Sequence, residues 1–276
     1  MNETPQQVGP HKSRGALHDV WVIARRGLIH MKRQPEALSD ATIQPLMFVL
    51  LFAYVFGGAI QIPDGNYREF LMGGIIAQTL VFSAFGVAMS LANDRKNSAV
   101  DRFRSLPIAN GAVLGGHAVA NVLKQVLPIT IMSLAGLVVG WRIRGGFVDA
   151  VHAYVLMIAF AFAIIWIGVL LGSLVETPEG VTGIAFAALF PLTFVASTFV
   201  PVESMPGPLR VVARWNPTSS LSDALRILFD NPTGIPSQST AFPTQHPVLY
   251  TWMWVIGLVV VVAPVSIRVY KRSISK

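Results

Sequence analysis

The chain contains no cysteine among its 276 residues. This excludes a disulfide framework, thiolate chemistry and any cysteine-ligated metal, and leaves the redox compartment undetermined. Charge is scarce as well: Asp, Glu, Lys and Arg make up 13% of the residues against 53% hydrophobic, a balance that soluble domains of this size do not show. No G-x-x-x-x-G-K-[ST] string occurs, so the chain does not hold nucleotide phosphates in a P-loop. Neither H-E-x-x-H nor a run of clustered carboxylates occurs, which removes the signatures of helix-borne metalloproteolysis and of magnesium-dependent prenyl transfer. The six His (11, 18, 30, 117, 152 and 246) are scattered. No metal site, no cofactor of its own and no enzymatic activity are expected.

What the sequence has instead is long apolar runs. A bilayer core about 30 Å thick needs about 20 apolar residues per helix. Six runs approach that length: Ile43–Ile60, Phe70–Ala92, Ala118–Gly140, Ala150–Leu174, Val181–Val200 and Val248–Val269. The expected fold class is an all-α integral membrane protein with six transmembrane helices. The expected organisation is a disordered tail over 1–16, a single transmembrane domain over 17–270 and a C-terminal tail over 271–276. The first sixteen residues have no apolar core followed by a small-residue cleavage site, so an untranslocated N-terminus is expected. No Asp or Glu stands in the middle of a run, so ion-coupled transport lacks its usual titratable site at membrane depth. Arg268 stands at the last turn of the sixth run, and Lys124, the other charge inside a run, lies near an end, where its stem can snorkel.

Orientation follows from the basic residues. Lys12, Arg14, Arg25, Arg26, Lys32 and Arg33 precede the first run, Arg95, Lys96, Arg102 and Arg104 follow the second, and Arg268, Lys271, Arg272 and Lys276 close the chain. The other side would hold Arg68, Arg142, Arg144, Arg210, Arg214 and Arg226. The positive-inside rule therefore predicts that both termini are cytoplasmic, although Arg142 and Arg144 weigh against it. The net charge of +7 is then a matter of topology and anionic headgroups, and no nucleic-acid partner is expected.

The stretch between the second and third runs, LANDRKNSAVDRFRSLPIANG, is dense in charge of both signs. Asn93 or Asp94 is a good N-cap, Ala99, Val100, Phe103 and Leu106 share one helical face, and Pro107 is a stop, so a short amphipathic helix is expected. An exposed Asp101–Arg104 pair contributes only about 0.2–0.5 kcal/mol, so stability does not account for the charge. Docking onto another protein does. Leu17, Val20, Trp21, Ala24, Leu28 and Met31 form a second stripe, and Arg25, Arg26, Lys32 and Arg33 give it a basic complement, as in a helix lying in the membrane interface. Between the last two runs, Leu209, Val212 and Ala213, then Leu221, Leu225, Leu228 and Phe229, have helical spacing, with prolines at 201, 206, 208 and 217 as breaks. This segment is too polar to span. Two readings stand, re-entrant helices buried in protein and an ordinary amphipathic loop.

DRKNSAVDRFRSLP (Asp94–Pro107) resembles the cytoplasmic coupling segment of permease subunits of type 2 ATP-binding-cassette exporters, in the daunorubicin-resistance branch of drug permeases. RQPEALSDATIQPLMFVLLFAYVFGGAI (Arg33–Ile60) and FVPVESMPGPLRVVARWNPTSSLSDALRILF (Phe199–Phe229) are similar to the same family. The resemblance implies ATPase coupling through Asp94, Arg95, Asp101, Arg102, Phe103, Arg104 and Pro107. It implies a connecting helix carrying Trp21, Arg25, Arg26 and Arg33, and re-entrant external helices carrying Pro201, Pro206, Pro217, Asp223 and Arg226. It also implies a substrate path between the second and fifth spans, with Phe82, Phe85, Met89, Phe190, Thr193, Phe194 and Ser197 as candidates.

The implied partners are two copies of a P-loop ATPase that binds ATP and Mg, a second permease chain in a homo- or heterodimer, membrane lipids, and a hydrophobic small-molecule or lipid substrate. The implied location is the bacterial inner membrane. The alternatives are a permease for a lipid-linked glycan and a non-transport sensor or structural subunit.

Overall fold

The computed structural model describes residues 35–60, 62, 65–96, 110–175, 177–236 and 240–274, and for 35–42, 94–96, 110–120, 271 and 274 the backbone alone. The described residues are mostly helical, with one isolated antiparallel bridge, Ile62 to Gly65, and no strand among them. In hydrocarbon every backbone N–H and C=O must be satisfied inside the chain, and helices do this locally.

In order these are α1 (Pro35–Leu50), continued by a π turn (Leu51–Phe56), α2 (Tyr67–Lys96), α3 (Asn110–Val139), α4 (Phe147–Leu174) and α5 (Pro178–Phe194). After a 3-10 turn (Val202–Ser204) come α6 (Gly207–Trp215), α7 (Pro217–Leu228), α8 (Phe242–Gln245) and α9 (Pro247–Gly257). A π segment (Leu258–Val262) joins α9 to α10 (Ala263–Ile274).

Four stretches are long and apolar enough to cross a bilayer: Tyr67–Asn93, Asn121–Val139, Phe147–Leu174 and Pro247–Tyr270. Ile43–Phe56 and Pro178–Phe194 are shorter apolar helices. Of the six expected spans, four are thus long and apolar enough to cross a bilayer, and the first and fifth correspond to shorter apolar helices. The fifth was expected to reach Val200 but stops at Phe194, because Val195 leaves helical geometry and the amide of Asn216 donates to the freed carbonyls of Leu192 and Val195 at 2.6 and 2.7 Å. The second runs on to Lys96, so Asn93 and Asp94 lie within its last turns and do not start a new helix. No Gly or Pro between Ala92 and Lys96 breaks it. The π segment before α10 has a local cause. Pro264 has no N–H and its ring crowds the carbonyl one turn back, and the N–H of Ala263 bonds five residues back, to Leu258.

α2 and α4 form the centre. Phe70, Leu71, Met72, Ile75, Ile76, Leu80, Leu156, Met157, Phe160 and Ile164 are buried in one core. Their contact is close because Gly168 and Gly172 of α4 face Ala84 and Ala88 of α2. A Cβ on Gly168 would lie 2.5 Å from the carbonyl oxygen of Ala84, and one on Gly172 would lie 2.7 Å from that of Ala88. Small residues four apart let two helix backbones approach in lipid, where no hydrophobic force drives them together. Gly168→Val is expected to force the helices apart and cost about 1–3 kcal/mol. Gly183→Val, where an added Cβ meets nothing within 4 Å, is the control. Thermal unfolding of the detergent-solubilised chain checks this, and equal midpoints for the two variants would contradict it.

Candidate functional site

Two structures built from charged, polar and aromatic residues stand out. The first lies where α7, the N-terminus of α2, the turn after α5 and the α3–α4 loop meet. Asn216 caps α7, its side-chain oxygen accepting from the Thr218 N–H at 2.8 Å, and Pro217 takes the first helical position. Almost every residue of α7 is buried, including Asp223 and Arg226. Arg226 donates through Nε to the carbonyl of Phe70 (2.8 Å), through Nη1 to Asp223 Oδ1 (2.7 Å) and Ser197 Oγ (3.1 Å), and through Nη2 to the carbonyl of Ser197 (2.6 Å). Its guanidinium lies 3.5 Å from the centre of the Phe70 ring. Ser197 Oγ donates to Asp223 Oδ1 at 2.9 Å.

Burial raises the Asp223 carboxyl, opposed by the Arg226 charge and by the hydrogen bonds from Ser197 and Arg226. Burial also pulls Arg226 down to about 10, opposed by Asp223. Arg226 therefore stays cationic near neutral pH, and its hydrogen bonds span α7, α2 and the turn after α5.

The same end of the bundle is tied elsewhere. Tyr67 Oη donates to the carbonyl of Phe199 at 2.9 Å. The buried carboxylate of Glu69 accepts two bonds from Arg144, both 2.7 Å. Gly140, at φ +106°, ends α3 and lets the Trp141 N–H return to the carbonyl of Gly136 at 2.8 Å. Trp141 then lies buried edge-on to Phe229, its Nε1 donating to Asn231 Oδ1 at 2.6 Å. α6 is different: Leu209, Val211, Val212 and Trp215 are exposed, whereas Arg210 and Arg214 turn inward onto Glu203.

The second structure is a continuous aromatic ladder. Phe186, Phe190 and Phe194 stack along α5 at 5.0 and 5.1 Å, Phe194 meets Phe199 at 5.3 Å, and Phe199 stacks on Phe52 at 4.3 Å. Phe52 stacks in turn on Phe48 and Phe56 of the first apolar helix. From α2, Phe82 meets Phe190 edge-on at 5.7 Å, and Phe85 meets Phe186 at 6.2 Å. Phe186 and Phe194 are 49% and 40% exposed, so one side of the ladder is open.

Of the residues expected along a path between the second and fifth spans, Phe82, Phe85, Phe190 and Phe194 are therefore brought together. Thr193 is buried and bonded to the Leu189 carbonyl of its own helix. Met89 packs with Phe85 against Ala88, Ala92 and Val181. Ser197 belongs to the Asp223–Arg226 cluster, because α5 has ended before it. Pro201 is buried, Pro206 caps α6 and Pro217 opens α7. Asp101, Arg102, Phe103, Arg104, Pro107, Trp21, Arg25, Arg26 and Arg33 lie outside the described residues, and Asp94 and Arg95 contribute only backbone to the end of α2.

Sequence reasoning missed Phe48, Phe52 and Phe56, which lie in the first apolar helix beyond the two spans considered. It also missed Glu69 and Gln78, polar residues standing inside α2.

Comparison with known proteins bears on both structures. Residues 18–229 match the ABC-2 type transporter family. The chain belongs to that family. It is 32% identical over 248 residues to the daunorubicin resistance ABC transporter permease protein DrrB1 of Streptomyces coeruleorubidus, covering 90% of this chain and 84% of the relative. It is 23% identical over 255 residues to the probable doxorubicin resistance ABC transporter permease protein DrrC of Mycobacterium tuberculosis, covering 90% and 86%. It is 22% identical over 227 residues to the putative transport permease ycf38 of Cyanophora paradoxa, covering 81% and 78%. This ABC-2 protein is thus a multi-pass membrane permease, of a family whose members are transport subunits.

Proposed function

We propose that this ABC-2 permease exports hydrophobic or amphiphilic compounds, with the aromatic ladder on α5 and α1 forming one wall of the path and a separate ATPase supplying the energy. The observation that carries this is the ladder itself, an open run of stacked rings on a membrane helix. Rings of this kind hold planar apolar groups by dispersion with little demand for directional bonds. The anthracyclines in the names of two relatives are such planar amphiphiles, which favours this reading over a lipid-linked glycan.

Two ATPase copies would dock on the charged segment 94–107 of two permease chains, homo- or heterodimeric, at the cytoplasmic face of a bacterial inner membrane. ATP moves the permease only by binding one conformation of the assembly better than the other. The tied junction around Arg226 then serves as the re-entrant outer cap of the path. Substrate passes beside it, since α7 itself is filled with packed side chains.

The test is purification of the tagged chain in mild detergent, with mass spectrometry of what accompanies it. One P-loop ATPase per permease copy is expected. Its absence from a well-folded preparation would sink the proposal.

A further inference from the structure

α6 carries its polarity the wrong way round for a helix in water. Leu209, Val211, Val212 and Trp215 fall within one arc of about 160° at 100° per residue, and all four are exposed, the two valines at 58%. Arg210, Ala213 and Arg214 occupy the opposite side, which faces the protein. Ala213 is buried, Arg210 donates through Nη2 to the carbonyls of Glu203 and Met205 at 2.9 and 3.1 Å, and Arg214 donates to Glu203 Oε1 at 2.7 Å. The cations are thus engaged inside the protein and the outward surface is hydrocarbon. A contiguous apolar patch of this kind marks a surface that something apolar covers.

The level at which the helix sits says what covers it. Trp215 lies edge-on to Tyr250 at 5.7 Å, and Tyr250 Oη donates to the Trp215 carbonyl at 3.0 Å. Tyr250 is three residues into the span Pro247–Tyr270, about 5 Å from its start at 1.5 Å per residue. α6 therefore ends where that span enters the bilayer, and Trp and Tyr are the residues that membrane interfaces favour. Leu249, next to Tyr250, opens an exposed stripe with Met253 and Ile256 along the same span. The apolar arc of α6 continues this lipid-facing surface.

We infer that α6 is a membrane-interface anchor, with Leu209, Val211, Val212 and Trp215 lying among the glycerol and upper acyl groups of phospholipids in the adjoining leaflet. It has the composition of an amphipathic helix in the interface plane, except that its cations grip the protein instead of reaching for water. The anchor acts on the bundle without a linker. Asn216 caps the end of α6, caps the start of α7 and holds the broken end of α5 through the Leu192 and Val195 carbonyls. The leaflet thereby sets the height of the Asp223–Arg226 junction, whatever compound the chain exports.

The chain has no cysteine, so a single introduced cysteine reports alone. Full-length Val211→Cys and Val212→Cys carry a nitroxide label in nanodiscs of phosphatidylethanolamine and phosphatidylglycerol. Val260→Cys, on the exposed face of the last span, is the lipid reference. Electron paramagnetic resonance reads the collision rates of each label with oxygen, which concentrates in lipid, and with a water-soluble nickel chelate. At both α6 positions oxygen is expected to exceed nickel several-fold, at a depth of about 5–10 Å below the phosphates. Leu209→Cys repeats the reading should a valine variant fail to fold.

Nickel collisions equal to or above those of oxygen on α6, with Val260→Cys still reading lipid, would put the arc in water and overturn the inference. Low access to both reagents would show protein covering the arc, a second copy of this chain where spin–spin broadening accompanies it, and would overturn the inference too.

Discussion

Replacing Arg226 with Met is expected to destabilise the protein by about 3–5 kcal/mol near neutral pH, the effect of leaving one buried charge without its partner. Asp223 would keep only the Ser197 hydroxyl, and the Phe70 and Ser197 carbonyls would lose their donor. The pH dependence identifies the cause. Burial already raises the Asp223 carboxyl against the pull of Arg226, and removing the cation raises it further. A carboxyl whose folded pKa lies above its unfolded value favours the folded state while protonated and loses that advantage as pH rises through the folded value.

Arg226→Met should therefore lie closer to the wild type at about pH 5 than at about pH 8. Asp223→Leu leaves the opposite charge, an Arg226 that is cationic across that window, and should show no recovery in acid. The double variant removes both charges and should be milder than either single one. Unfolding curves of the four proteins at the two pH values decide it. Wild-type stability in Arg226→Met, or a double variant worse than both singles, would refute the account.

This junction shows what the sequence could and could not convey. Asn216-Pro217 is readable as a helix start, since an Asx cap followed by Pro at the first position is a local signal, and α7 begins there. The helical spacing of Leu221, Leu225 and Leu228 likewise marked a helix, while Phe229, which shares that spacing, is its C-cap. That Asp223 and Arg226, at i and i+3, are both buried was not readable, because the spacing is equally that of an exposed pair. Burial depends on the α2 N-terminus and the 195–200 turn closing over them.

The end of α5 was hidden for a related reason. Residues 195–200 are apolar enough to continue a span, and what stops the helix is the amide of Asn216, more than twenty residues ahead. Conversely, Gln78 needed only attention to an amide inside an apolar run.

The charged segment between α2 and α3 carries the other large prediction. Reversing both charges, Asp101→Arg with Arg102→Asp, is expected to reduce ATPase co-purification about tenfold or more and to abolish ATP-dependent export. Close charge pairs at protein interfaces carry coupling energies of about 1.5–7 kcal/mol, and each 1.4 kcal/mol is a factor of ten in affinity. The melting temperature should hardly move, because a local i, i+3 pair contributes only about 0.2–0.5 kcal/mol. Separation of the two readouts is the informative part. A docking surface loses its partner while the fold persists, whereas a segment that merely supports the bundle loses both together. Unchanged assembly and export in the reversed protein would mean that the ATPase engages another part of the permease. Export lost with the complex intact would place these two charges in transmission of the ATPase movement and remove them from binding.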